Sequence, residues 1–125
     1  MKKLGILAFL LAVMMIITSI AVAEYTPDDY GWRYSGSTLK KGHGGKNSPH
    51  LKQYVANVQG DIWASGDGDC RGVDGIYGNN TVGGVKSYQR VHNLTADGET
   101  GKWTKNPLYH VFKDCGHWDY PGKYD

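Results

Sequence analysis

The sequence predicts a mainly α fold: a small three-helix bundle with long ordered loops and one disulfide. Three observations predict it. Apolar residues recur with a helical period in three separate windows. No segment shows the β-branched alternation of a half-buried strand. Two cysteines, Cys70 and Cys115, stand in a chain whose start reads as an export signal, where an even count implies pairing.

The chain opens on Met1-Lys2-Lys3 and then runs apolar to Ala21-Val22-Ala23, interrupted only by Gly5, Thr18 and Ser19. A basic start, an apolar centre and an A-x-A site of small residues define a signal peptide over residues 1–23, cleaved after Ala23. The rival reading is an uncleaved membrane anchor, since the run approaches the ~20 residues that a span needs. The A-x-A site and the abrupt polar "EYTPDD" after it favour cleavage. Cleavage leaves 102 residues, enough for one small domain. Both leader lysines depart, so twelve basic residues face twelve acidic ones and the net charge is near zero. Nucleic acid is therefore not an expected partner, nor is a membrane after cleavage. A Cys70–Cys115 bridge would span 45 positions and contribute about 3–4 kcal/mol through loop closure. That is a large share of the stability of so small a domain. The alternative is a reactive thiol, for which the chain lacks room to build a cysteine-hydrolase fold.

Residues 24–38, "EYTPDDYGWRYSGST", carry neither period and read as an irregular aromatic lead-in. The folded domain is expected over 39–112. Its first helix covers 50–64, with Leu51, Tyr54, Val55, Val58 and Ile62 on one face. Ser48-Pro49 supplies a start and "SGDGDCRG" a stop. The second helix covers 79–92, with Val82, Val85, Tyr88 and Val91 as its apolar face. Gly83-Gly84 inside it costs roughly 1 kcal/mol each relative to Ala, so neighbours hold this helix or something approaches it closely. The third covers 102–112, with Trp103, Leu108, Val111 and Phe112, and Pro107 is placed to kink or split it. Residues 113–125 read as an irregular C-terminal tail carrying Cys115.

One pattern is written twice. "DGIYGNNT" at 74–81 and "DGETGKWT" at 97–104 are both D-G-x-x-G-x-x-T. The Asp can accept from amides just after it in an Asx turn, and the adjacent Gly can take positive φ. The second Gly suits a helix boundary, and the Thr falls in the first turn, where its hydroxyl can satisfy a local backbone group. Each copy is a loop-to-helix device, and Asp74 and Asp97 are turn builders.

The register extends beyond the copies. Val58-Gln59 precedes Ile62 and Gly66; Val85 and Tyr88-Gln89 follow Thr81; Leu94 precedes Asp97; Leu108 follows Thr104. Over residues 39–108 this resembles the peptidoglycan-binding domain family of type one, a three-helix module. The family's usual pattern has L-Q, then D-G-x-F-G-x-x-T, A-V-x-x-F-Q and D-G-x-x-G-x-x-T-W-x-x-L. Departures are Val58 and Tyr88 for Leu and Phe, Gly84 for Ala, and Trp103 before Thr104 where the family has Trp after it. Extra residues in "GKNSPHLKQY" and "DGDCRGV" also alter the surface around the first helix.

The resemblance implies non-catalytic binding of bacterial cell-wall peptidoglycan by a secreted, wall-associated protein. A sugar–peptide polymer is held by aromatic faces stacked on sugar faces and by amides and hydroxyls pairing with its polar groups. Near the first copy the chain offers Tyr77, Asn79, Asn80, Thr81 and Gln89, with Trp63 across the first loop, and these six are the expected ligand contacts. Core packing competes for Tyr77 and Trp63, and a structural bond to a loop competes for Gln89. No cofactor is expected, and a separate cell-wall enzyme is a further candidate partner. The alternative is an exported protein-interaction module, an inhibitor or adaptor, using flanking aromatics such as Trp32 and Trp118. A small cell-wall hydrolase ranks last.

Other constellations are weak. His43, His50, His92, His110 and His117 form no close ligand spacing, so no metal site is expected. "DGDCRGVDG" lacks carboxylates at the fifth and twelfth positions of a calcium loop, which are Arg71 and Gly78. "DCGH" at 114–117 would need its base presented across a fold.

Overall fold

The computed structural model describes residues 24–115; the signal peptide read at 1–23 and tail residues 116–125 lie outside the described part. The elements are α1 (Pro27–Tyr34), a 3-10 turn (Pro49–Leu51) leading into α2 (Lys52–Ser65), then α3 (Asn79–Val91) and α4 (Lys102–Cys115). Among the described residues the β pairing is limited to two antiparallel bridges, Leu39 with Thr100 and Gly44 with Ile76. Helix α2 is the hub, packing against α1, α3 and α4, while α1 also packs on α4. The mainly helical class and the three expected helices are present.

The lead-in is a correction: it holds a helix and is not irregular. Thr26-x-x-Asp29 is a capping sequence, and the Asp29 carboxylate accepts from the Thr26 amide at 2.8 Å and its hydroxyl at 3.2 Å. Pro27 starts the helix, and Asp28 and Asp29 sit at its positive end. A helix of eight residues is too short to persist alone. Packing holds it, because Tyr30, Arg33 and Tyr34 share one face and all three are buried.

Helix α2 is buried all round from Val55 to Ile62, including Asn57, Gln59 and Asp61. Such polar groups need partners in low dielectric. Asn57 donates to the Arg33 carbonyl at 2.9 Å. Arg33 grips Asp61 with two bonds of 2.7 Å, and the Tyr34 hydroxyl donates to the same carboxylate at 2.5 Å. The Arg33 guanidinium also lies 3.6 Å from the Phe112 ring centre. Burial and the Asp61 charge push the Tyr34 hydroxyl far above the usual tyrosine range, so it stays a donor. The polar stripe of α2 is thus the docking site of α1.

The disulfide is the second correction. Both cysteines are free, Cys70 buried and Cys115 exposed at the end of α4. Cys70 sits in a loop laid directly on α3, its Sγ 3.8 Å from the Thr81 carbonyl. A Cβ on Gly84 would stand 2.6 Å from that sulfur and 2.8 Å from the Asp69 carbonyl, which explains this glycine inside a helix. Burial, with Asp69 and Asp74 nearby, pushes the Cys70 thiol up to about 12. It behaves as a small core residue.

Pro107 lies within α4 without splitting it, and the helix runs three residues beyond the expected end, to Cys115. Lys105, the residue after Thr104, is 1% exposed. Its ammonium donates to the Ser35 carbonyl at 2.9 Å and to the Ser37 carbonyl, tying down the chain as it leaves α1. Burial pulls the Lys105 pKa down to about 8.

Candidate functional site

Each octapeptide is wrapped around one glutamine. In the first copy the Gln59 amide nitrogen donates to Asp74 Oδ1 (3.0 Å), the Ile76 carbonyl (3.1 Å) and Thr81 Oγ1 (2.9 Å). Its oxygen accepts from the amides of Asp74 and Gly75, both at 3.0 Å. In the second copy Gln89 donates to Asp97 Oδ1 (3.0 Å), the Glu99 carbonyl (2.9 Å) and Thr104 Oγ1 (3.0 Å), and accepts from the Gly98 amide at 2.9 Å. Asp74 and Asp97 each accept from the amide two residues on, closing an Asx turn. Gly75 and Gly98 both stand at φ +75°, where an L side chain is strained. The repeat is therefore one glutamine-centred clamp built twice.

The two clamps are joined. Tyr77 and Thr100 occupy the same position in their copies, and the Tyr77 hydroxyl donates to the Gly98 carbonyl at 2.7 Å while lying 2.9 Å from Thr100 Oγ1. The segment before α2 pairs with both. Leu39 exchanges backbone bonds with Thr100 (3.1 and 2.8 Å), the Gly42 amide donates to the Tyr77 carbonyl, and the Tyr77 amide donates to the His43 carbonyl, both at 3.0 Å. These loops form a fixed platform at one end of α3 and α4.

The six expected contacts divide on this platform. Tyr77, Thr81 and Gln89 are at most 2% exposed, with their polar atoms engaged inside the fold. Their place is in the frame, and the sequence signal for it is the apolar-Gln dipeptide ahead of each copy. Asn79 and Asn80 are exposed in the first turn of α3, and Trp63 is half-buried on α2.

Two troughs border the platform. Beside the first copy a largely apolar one of about 420 Å³ is lined by His43, Gly44, Gly45, Lys46 and Ile76. Beside the second a mixed one of about 320 Å³ is lined by Asn93, Thr95, Asp97, Glu99 and Trp103. Trp103 is 66% exposed, and its displacement to the position before Thr104 is the sequence signal that it faces outward. Among the described residues no three His, Cys, Asp or Glu side chains gather as a metal-ion cluster. His92 and Asp67 form a half-buried pair at 2.8 Å.

Residues 50–108 match the sequence model of the family described as "Putative peptidoglycan binding domain". No curated protein and no solved structure was found to match the chain. The matched span runs from the turn before α2 to Leu108 in α4 and contains both glutamine clamps, so the part of this chain that is similar to the peptidoglycan binding family is the part the clamps organise.

Proposed function

We propose that this protein is an exported, non-catalytic module that binds cell-wall peptidoglycan. The match over residues 50–108 carries the reading. The hydrogen-bonded loop platform supports it, since loops held in place before binding lower the entropic cost of holding a ligand. The non-catalytic part is supported by where the reactive side chains go. Asp61 is locked between Arg33 and Tyr34, Cys70 is packed on Gly84, and Lys105 holds two carbonyls. Export rests on the leader, and no described helix is long and apolar enough to cross a membrane. In this reading the module holds the wall and any wall chemistry belongs to a separate enzyme. Asn79, Asn80 and Trp63 remain proposed contacts on the first-copy side.

The alternative of a protein-interaction module drew on aromatics in both flanks; Trp118 lies outside the described residues, and in α1 Tyr30 and Tyr34 are core residues while Trp32 keeps a largely exposed ring. Cosedimentation with purified, protein-free sacculi tests the proposal. Depletion from the supernatant in a saturable manner is expected; no depletion beyond that of a non-binding control protein would remove it.

A further inference from the structure

We infer that Trp103 is a stacking platform for a sugar ring of the glycan strand, with the polymer running across it from one trough to the next. This rests on the peptidoglycan reading and names where and through which chemistry the wall is held.

Four observations converge on this indole. It is the most exposed large apolar side chain among the described residues. It is held rigidly from below, because Thr104, next to it, is buried on Gln89, and Lys105, two positions on, is anchored to the end of α1. It borders two troughs at once: the 320 Å³ one beside the second copy and another of about 260 Å³ edged by Tyr25, Thr26, Lys102 and Asn106. Each trough alone is at or below the small end of compact ligand pockets, roughly 300–1,000 Å³. Joined over one ridge, they form a track suited to an extended strand.

The fourth observation is the unused polar chemistry along the first trough. The side chains of Asn93, Thr95 and Glu99 are exposed and make no hydrogen bond to other described residues. Asn93 is fixed at φ +56° just after α3, where the Leu94 amide closes the helix end on the Gln89 carbonyl at 2.8 Å. An amide, a hydroxyl and a carboxylate on a rigid edge beside an aromatic face suit an amino-sugar polymer. Its ring C–H faces stack on indole, and its hydroxyl and acetamido groups need both donors and acceptors. The Lys102 ammonium lies 4.9 Å from the Trp103 ring centre and adds positive charge on the second trough's side. A purely apolar ligand would leave these polar groups stranded.

The test compares the full chain with its Trp103→Ala, Trp103→Phe and Trp32→Ala variants, each verified as folded by circular dichroism. Each is sedimented with intact sacculi and with sacculi stripped of their stem peptides. Trp103→Ala should weaken binding to both materials about tenfold. Trp103→Phe should recover most of it, and Trp32→Ala, which removes an exposed indole elsewhere, should bind as wild type. Equal binding by Trp103→Ala and wild type overturns the inference and leaves the peptidoglycan reading standing. Loss of wild-type binding on stripping the stem peptides also overturns it, by moving recognition to the peptide. Failure of wild type to bind intact sacculi overturns both.

Discussion

Replacing Gln59 by leucine should damage the fold more than the same change at Gln89, and the difference can be worked from the two clamps. Leucine keeps much of the volume and removes the amide. At position 59 it strands two backbone N–H groups, those of Asp74 and Gly75; at 89 it strands one, that of Gly98. The acceptors suffer less, because Asp74 and Asp97 keep the amides two residues on, and Thr81 still donates to the Ile76 carbonyl. An unsatisfied buried donor costs about 1–3 kcal/mol. The expected losses are about 3–5 kcal/mol for Gln59→Leu and about 2–3 kcal/mol for Gln89→Leu. Urea unfolding followed by circular dichroism reads both. With a slope of about 1–1.5 kcal/mol per molar, the Gln59 variant should shift the midpoint by about 2–5 M. An equal or larger loss at Gln89, or losses under about 1 kcal/mol at both, would refute the clamp as the element holding these loops.

The paired glycines of α3 should respond oppositely: Gly83→Ala meets open space and should stabilise by up to about 1 kcal/mol, while Gly84→Ala collides with Cys70 and Asp69 and should destabilise, both read by thermal unfolding. A thiol reagent should label Cys115 in the native protein and Cys70 only after unfolding; a Cys70–Cys115 linked peptide in unreduced material would overturn the structure here. The Lys105 pKa falls from 10.5 unfolded to about 8 folded, so between those values the unfolded chain holds a proton that the folded one has released. Stability should therefore rise with pH from about 8, by at most about 1.4 kcal/mol per unit, and Lys105→Met should abolish the rise. Above about pH 9 the rise should flatten, because the unfolded Cys70 thiol ionises while the folded one, held up at about 12, keeps its proton, and above pH 10 the trend should reverse as the unfolded Tyr34, Tyr77 and Tyr88 ionise before their folded counterparts, whose pKa values are raised.

The helices expected from apolar period are those that repeat apolar residues on one face over several turns, as with Val55, Val58 and Ile62, or Val85 and Tyr88. Helix α1 escaped because it spans eight residues and its buried face, Tyr30, Arg33 and Tyr34, has a charged residue in its centre, which leaves too few apolar positions to show a period. Its capping sequence, Thr26 to Asp29, was the readable signal. The octapeptides were legible as turns from Asp and Gly chemistry. That one glutamine would satisfy a whole loop was not, because Gln59 lies 15 positions and Gln89 8 positions from the Asp it binds. The cysteine arithmetic failed because an even count says nothing of distance. Surface chemistry was the least legible part: Tyr77 had the chemistry of a sugar contact, but its ring fills the space between the clamps, while Trp103, not among the expected contacts, has an exposed ring.

The bonds that fix α1 set an order of assembly. Both clamps are local, closing loops of modest length within a stretch that can organise as soon as it is made. Helix α1, first of the described elements to be synthesised, reaches across most of the described chain: the Tyr25 amide meets Asn106 at 2.6 Å over 81 positions, and Ser35 waits 70 positions for Lys105. Its grip on Asp61 can form early, but the seam with α4 cannot close until nearly the whole described chain exists. The N-terminal helix acts as a latch, and a fragment ending before α4 would expose Tyr30 and Tyr34 to any chaperone or protease that meets it.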